Sequence, residues 1–316
     1  MAVTAMHTLY AVNVEKDGVD NDLFIDEVQD WNIDTGINEI LQAADGAVDP
    51  TFVSVMGQSP RVRFTSGCIA RILAKCGISG MNTGADDTGA ICWFQALAKG
   101  GTRAVGATHI KLTSQYSLLV PRRLNIPGDG GGPATMELEL IPYSSDGATA
   151  PVVPLGSQSL TATPEGQARE YFVAGPASVN GTTINGVLST TIEFGIEEIV
   201  QASDGAVFPS FVGIMSRKPS ITIRTADVGI LATLGLSGAA QTATNSVVYL
   251  RKLDAGGTRV ADDGSEHISF AVDDGRVSVT GVTGPHGQTL GADVRISPTY
   301  DGVAAIFAID TTADIV

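Results

Sequence analysis

Basic side chains are scarce in this 316-residue chain, 19 lysines and arginines against 34 aspartates and glutamates, for a formal net charge of −15. A tight nucleic-acid binder needs clustered cations that displace counterions from phosphates, so that class is excluded. Cysteine is also scarce. Cys68, Cys76 and Cys92 are odd in number, fall in the first half and form no CxxC pair, which argues against a disulfide framework and against a zinc site. No run reaches the apolar length that spans a bilayer, and the opening MAVTAMHTLYAVNVEKDG lacks the basic-then-apolar pattern of a secretion signal. Aromatic residues make up only 6%, too few for the exposed ring platforms of a typical glycan-binding surface.

Catalytic patterns are missing as well. There is no GxSxG, HExxH, GxxxxGK[ST] or helix-opening GxGxxG. The glycine-rich GDGGGP at 128–133 has no lysine and lies between strand patterns, so it reads as a turn. The four histidines are far apart, and His109 and His267 sit in matching Thr/Glu-His-Ile contexts, which is an architectural signature rather than a metal centre. The acidic stretch DGVDNDLFIDE at 17–27 lacks calcium-loop spacing, and its counterpart VNGTTINGV has no carboxylate; an exposed acidic turn is expected. No carboxylate pair is marked for glycoside hydrolysis. No cofactor and no enzymatic activity are expected.

What the chain does contain is itself, twice. GINEILQAADGAVDPTFVSVM at 36–56 reappears as GIEEIVQASDGAVFPSFVGIM at 195–215, a spacing of 159 between Gly36 and Gly195. CGISG at 76–80 then meets LGLSG at 234–238, and GGTR at 100–103 meets GGTR at 256–259, the drift being loop indels. A unit this long is too large for a stacked solenoid repeat, so each copy is expected to be a domain. The expected organisation is a first domain over 1–150, a linker over 151–168 rich in Ser, Thr, Pro and Gly, and a second domain over 169–316.

Within a copy, alternation dominates. Leu188, Ile192, Phe194, Ile196 and Val200 share one parity while Ser189, Thr191, Glu193 and Glu197 share the other, which predicts a strand with one buried face. In the first copy Trp31, Ile33, Ile37 and Leu41 are expected on the buried face, with Asp30, Asn32, Asp34 and Asn38 opposite. Gly36 and Gly195 mark a bend, and Asp45-Gly46 and Asp204-Gly205 a hairpin turn before TFVSVM and SFVGIM. Asp263-Gly264 and Asp274-Gly275 read as further hairpins. One helix interrupts each copy: Ile69, Ile72, Leu73 and Cys76 follow helical spacing up to Gly77, and Thr225 or Asp227 caps a second run ending at Gly235. The expected fold is all-β with one short helix per domain, a β-sandwich or barrel in duplicate.

The hairpins at 28–56 and 187–215, the segments PRVRFTSGCIARILAKCG and PSITIRTADVGILATLG, and the duplication itself resemble phage major tail tube proteins of the fused two-domain kind. The resemblance implies two tandem tail-tube-like β-sandwich or barrel domains. It implies three chains per pseudo-hexameric ring, rings stacked into a tube, contacts with other tail proteins, and passage of DNA without retention. It places the protein in the virion tail, assembled in the host cytoplasm, with no membrane partner. On that reading Asp30, Asp34, Glu193 and Glu197 line an acidic channel, because their strand face is the polar one. Two other readings stay open: a different virion structural protein, such as a decoration or baseplate subunit, and a glycan-binding β-sandwich module.

Overall fold

The computed structural model describes residues 5–315 except 17–18, 84–88, 99–100, 102, 104–105, 107, 129–130, 161–169, 236–240, 284–290, 301 and 303–304. The fold is all-β with two short helices. In the first half the strands are β1 (Ala5–Lys16), β2 (Val19–Ile25), β3 (Val28–Asp34), β4 (Ile37–Gln42), β5 (Phe52–Gln58) and β6 (Arg61–Ser66). After α1 (Ile69–Cys76) come β7 (Met81–Thr83), β8 (Ala90–Ala98), β9 (His109–Ser114), β10 (Tyr116–Pro127), β11 (Thr135–Tyr143) and β12 (Val153–Gln158). The second half follows with β13 (Tyr171–Val179), β14 (Thr182–Ile184), β15 (Val187–Glu193), β16 (Ile196–Gln201), β17 (Phe211–Arg217) and β18 (Ser220–Thr225). Then come α2 (Ile230–Leu234), β19 (Gln241–Thr242), β20 (Ser246–Leu253), β21 (His267–Val272), β22 (Gly275–Thr283), β23 (Gly291–Pro298) and β24 (Ala308–Ala313).

Strand order repeats between the halves. One five-stranded sheet runs β12-β9-β8-β1-β2 and another runs β24-β21-β20-β13-β14, so every strand of the first has its counterpart at the same place in the second. The third sheet has ten strands and belongs to both halves. Its path is β19-β22-β23-β18-β15-β10-β11-β6-β3, with β7 also paired to β10. The segment β22-β23-β18-β15 is the counterpart of β10-β11-β6-β3, and the two meet head to tail where β15 pairs with β10. The segment expected as a linker contributes β12 to a sheet edge.

Local chemistry explains the corners. Gly36 and Gly195 both have φ of 58°, and a Cβ on either would lie 2.1 Å from the carbonyl oxygen of Ser59 or Lys218. A long alternating strand is thereby broken in two: β3 and β15 stay in the central sheet, while β4-β5 and β16-β17 leave it as separate two-stranded arms. Asp274-Gly275 is not the hairpin its turn chemistry suggests. β21 and β22 belong to different sheets, and Gly275, with φ of 146°, carries the chain from one to the other where a Cβ would strike the Ser297 carbonyl.

The core lies between the sheets. Helix α1 buries Ile69, Ile72, Leu73 and Cys76, the stripe read from sequence, and the Gly77 N–H donates to the Leu73 carbonyl at its end. α2 is a single short helix in which Ile230 and Leu234 are buried. Asp227 acts before it, Oδ1 accepting the Gly229 N–H. His109 and His267 are both fully buried at strand starts. The His267 Nδ1 accepts the Lys252 N–H, so Nε2 carries the proton and donates to the Ala261 carbonyl. Burial pushes the Cys68 thiol up to about 12, helped by Asp26, whose carboxylate lies 2.6 Å away, and burial does the same to Cys92; neither supplies a thiolate near neutrality. In the acidic stretch at 17–27 the side chains are described from Leu23 onward, and there Asp26 pairs with Arg71 at 2.8 Å. Among the described residues no His, Cys, Asp and Glu converge as a metal site, and no helix is long and apolar enough to cross a membrane.

Candidate assembly interface

The junction between the two halves carries a dense polar network. β10 and β15 pair antiparallel, Arg123 opposite Glu193, Leu124 opposite Ile192 and Asn125 opposite Thr191. Their inward residues close a dry seam: Leu124 and Ile192 are both 0% exposed. Just beside the seam Pro121 sits in the middle of β10. Proline donates no ladder hydrogen bond, and the register shifts between Pro121 and Arg123, a bulge that frees Arg122 from the ladder.

Arg122 uses that freedom to bind across the junction. Its Nε donates to the Glu139 Oε2 at 2.7 Å, a second nitrogen contacts the same oxygen, and further bonds reach the Ile196 carbonyl at 2.8 Å and Glu198 at 2.9 Å. Arg61 donates to Glu139 at 3.1 Å and Glu198 at 2.7 Å, and Arg63 to Glu139 at 3.0 Å. Glu139, 2% exposed, therefore has three arginines around it. Burial alone would raise its pKa, but Arg122, Arg61 and Arg63 outweigh the desolvation and hold the carboxyl below the usual range; Glu198 is held low by the same contest. Glu198 belongs to the second half and the arginines to the first, so this network clamps one half to the other.

The arm β16-β17 completes the clamp. Its tip lies on the first half: the Gln58 N–H donates to the Val207 carbonyl at 2.7 Å, and the Phe208 N–H to the Gly147 carbonyl at 3.1 Å. Phe208 lines a mainly apolar groove of the first half with Ile33, Pro60, Val62, Cys92 and Leu112.

The four residues expected to line a channel lie in two places. Asp30 and Asp34 are exposed on β3, where the Asp30 N–H donates to Thr65 and the Asp34 carboxylate accepts the Gly36 N–H at 2.9 Å. Glu193 occupies in β15 the position that Asp34 occupies in β3, opposite Ser220 as Asp34 is opposite Arg61. It is ion-paired to Arg123 at 2.5 Å. Glu197 stands on the second arm, bound by Lys218 at 2.8 Å and by Ser216. Asp30, Asp34 and Glu193 therefore share the outer face of the central sheet, and Glu197 does not.

That outer face is polar, and its charges are matched. Asp30, Asp34, Glu137, Glu139, Glu193 and Asp293 are accompanied by Arg61, Arg63, Arg122, Arg123, Arg224, Arg276 and Arg295. Sequence reasoning marked the acids and passed over the arginines, although the PRVRF and PRRLN strings carried the signal. The excess negative charge of the chain consequently sits on other surfaces.

The same strands also end in open edges. Trp31 on β3 is 40% exposed although its ring packs edge-on against Phe94 at 5.3 Å, and Ile33 is half-buried. At the far end, Val282 on β22 is 40% exposed. The first arm is largely open: Ile37 and Leu41, expected to face a core, are exposed, as is Val53, whereas their counterparts Ile196 and Val212 are buried and Val200 is half-buried. The cause is the missing neighbour, since the second arm lies on the first half and none of the described residues forms an equivalent seat for the first arm. No protein-family model and no curated protein matches this chain in sequence.

Proposed function

We propose that this protein is a phage tail tube subunit, a structural virion protein whose rings of three chains stack into the conduit for genome passage. The observation that carries the proposal is the head-to-tail junction. In an isologous contact the two halves would offer each other the same surface; here the β10 side of one half meets the β15 side of the other, so the junction can repeat indefinitely. A heterologous contact that repeats closes into a ring or runs on as a filament. With two copies per chain, three chains give the six positions that the resemblance implies.

The ten-stranded sheet then becomes one third of a continuous wall. Its inward side is packed against the five-stranded sheets, which leaves the charge-matched polar face for the lumen. Such a face neither attracts nor strongly repels a polyanion, which suits a passage that DNA must traverse without being held. Phe52, Met56, Phe211 and Met215 are open in both halves and are available for contact between stacked rings.

Negative-stain microscopy and native mass spectrometry of the purified protein test the proposal. Annuli with six lobes, three chains in mass and a tendency to stack are the expected result. A monomer at every concentration, or a filament without a central hole, would overturn it.

A further inference from the structure

The structure carries a template for a contact it does not contain. Whatever the second half does to the first at β10-β15, the first half of one chain is equipped to do to the second half of its neighbour, and the residues on both sides can be assigned one by one.

The pairing registers provide the assignment. Leu140 opposes Val62 and Leu119, as Ile296 opposes Ile221 and Val277. The bulge after Pro121 in β10 recurs after Val279 in β22, so Arg123, Leu124 and Asn125 correspond to Gly281, Val282 and Thr283. β7 pairs with Ser117–Leu119 near the start of β10 and leaves the later residues to β15. β19 likewise covers only Arg276 and Val277, so Gly281–Thr283, paired with β23 on one edge, have no strand on the other among the described residues. On the other side β3, the counterpart of β15, is the last strand of the sheet.

We infer that β3 of one chain pairs antiparallel with β22 of a second copy, in the register Asp34 to Gly281, Ile33 to Val282 and Asn32 to Thr283, locked by an ion pair between Glu39 and Arg295. This inference deepens the ring reading and rests on it. Glu39 is the counterpart of Glu198, and Arg295 the counterpart of Glu139. In the junction within the chain two arginines bridge those two carboxylates; between chains Ser220 and Thr280 stand where Arg61 and Arg122 stand, and Arg295 supplies the positive charge itself. Both Glu39 and Arg295 are exposed and neither forms an ion pair within the chain among the described residues. A five-membered network is thus replaced by one complementary pair, which fits a contact made between chains after folding rather than during it.

The first arm has its own seat in the same arrangement. The Val48 carbonyl, at a residue 98% exposed, would accept the Arg217 N–H of the second copy, as Val207 accepts from Gln58. The arm tip differs in one respect: the place of Phe208 is held by Asp49, so the interchain seat lacks that aromatic plug.

Cysteine trapping tests the register. Asn32→Cys and Thr283→Cys in one chain place the two thiols directly opposite across the new seam, at a separation a disulfide can span, while the three native cysteines are buried. The expected result is oxidative cross-linking of the double variant into covalent species up to a closed ring, with no cross-link in either single variant or in Trp31→Cys with Thr283→Cys. Rings or tubes that form without the cross-link would overturn this junction and leave the ring reading standing. A chain that stays monomeric would overturn both, and a covalent ladder running past three chains would support the junction while overturning the three-chain ring. A second measurement needs no cysteine. Glu39→Arg and Arg295→Glu should each weaken association by about tenfold or more, and their combination should restore it to within a few-fold, since an exchanged pair keeps its attraction. Failure of the combination to recover would overturn the ion pair.

Discussion

β3 and β15 are the same strand in two circumstances. Each follows a crossing between sheets, each ends at a glycine with φ of 58°, and each pairs on one side with the strand that precedes a helix. They differ in their other neighbour. β15 is covered by β10, and Ile192 and Thr190 are buried; the matching edge of β3 meets no strand among the described residues, and Ile33 and Trp31 are partly in water. A single chain therefore displays both the finished and the unfinished form of one contact. Burial in the finished form comes from the neighbour rather than from the strand, because the two strands alternate alike.

Changes in the shared core should not distinguish the halves by circumstance, and they set the upper bound. Leu73→Asp puts an unpaired charge beneath α1, where Leu73 is 3% exposed, and should cost about 4 kcal/mol or more and abolish soluble expression. Full soluble yield and an unchanged melting temperature would break the packing described for that helix. Next in size is the seam itself. Ile192→Ala should destabilise the isolated chain by about 3 kcal/mol and Ile33→Ala by about 1 kcal/mol or less, as only the first vacates a closed site. Denaturant midpoints at a concentration where the chain is monomeric decide this, and equal shifts would erase the difference between covered and open strands. In assembled material the two costs should converge.

The ion network offers a third contrast. Glu139→Ala removes the more buried of the two carboxylates that Arg61 and Arg122 share, leaving them Glu198 alone, and should cost about 2 kcal/mol, while Arg295→Ala at the matching open position should change monomer stability by less than about 0.5 kcal/mol. The contrast extends to pH. A carboxyl whose folded pKa lies below the unfolded value of about 4.3 contributes stability above that value and loses it as pH falls through the folded one. Glu139 and Glu198 are both of that kind. Acid titration of the folded chain should show a loss below about pH 4 that Glu139→Ala diminishes. A slope identical in the two proteins would remove these carboxylates from the acid response.

Much of this was written in local pattern. The α1 stripe at Ile69, Ile72, Leu73 and Cys76, the bends at Gly36 and Gly195, and most strands follow from spacing and turn chemistry, since those depend on near neighbours in sequence. β10 was hidden because Pro121 lies in its middle, and a proline is compatible with a central strand only at a bulge. The role of Asp274-Gly275 was hidden because a glycine turn looks alike whether the chain folds back or crosses to another sheet. Alternation told which side chains share a face but not what covers it, so Ile37 and Leu41 read as core and are open. The match of arginines to carboxylates is also beyond the reach of alternation, because it arises between strands distant in sequence.

The smallest expected effect on folding concerns the polar face at Asp34 and Glu193, whose cross-strand neighbours differ. Glu193 is held by Arg123, whereas the counterpart of Arg123 at the open edge is Gly281, so Asp34 has no ion pair among the described residues. A channel built from these faces would carry three bare carboxylates alternating with three neutralised ones, rather than six of equal strength. Asp34→Lys should alter stability by less than about 0.5 kcal/mol, and Glu193→Lys by up to about 1 kcal/mol through loss of an exposed pair. Their effects on DNA passage should be unequal as well. Glu193→Lys sets a new cation beside Arg123 and removes the closer of its two carboxylates, leaving it only Glu137 at 3.7 Å, so it adds more phosphate-binding charge per site than Asp34→Lys does. Each phosphate neutralised steepens the salt dependence of binding by about 0.9 in log–log slope, so retained DNA should move more slowly at low salt and recover as salt rises. Genome ejection from particles carrying each variant, followed across salt concentrations, should be slowed by both and more by Glu193→Lys. Ejection at the wild-type rate in both variants at low salt would take this face out of the lumen, and equal slowing would show that Arg123 does not neutralise Glu193 in the assembled tube.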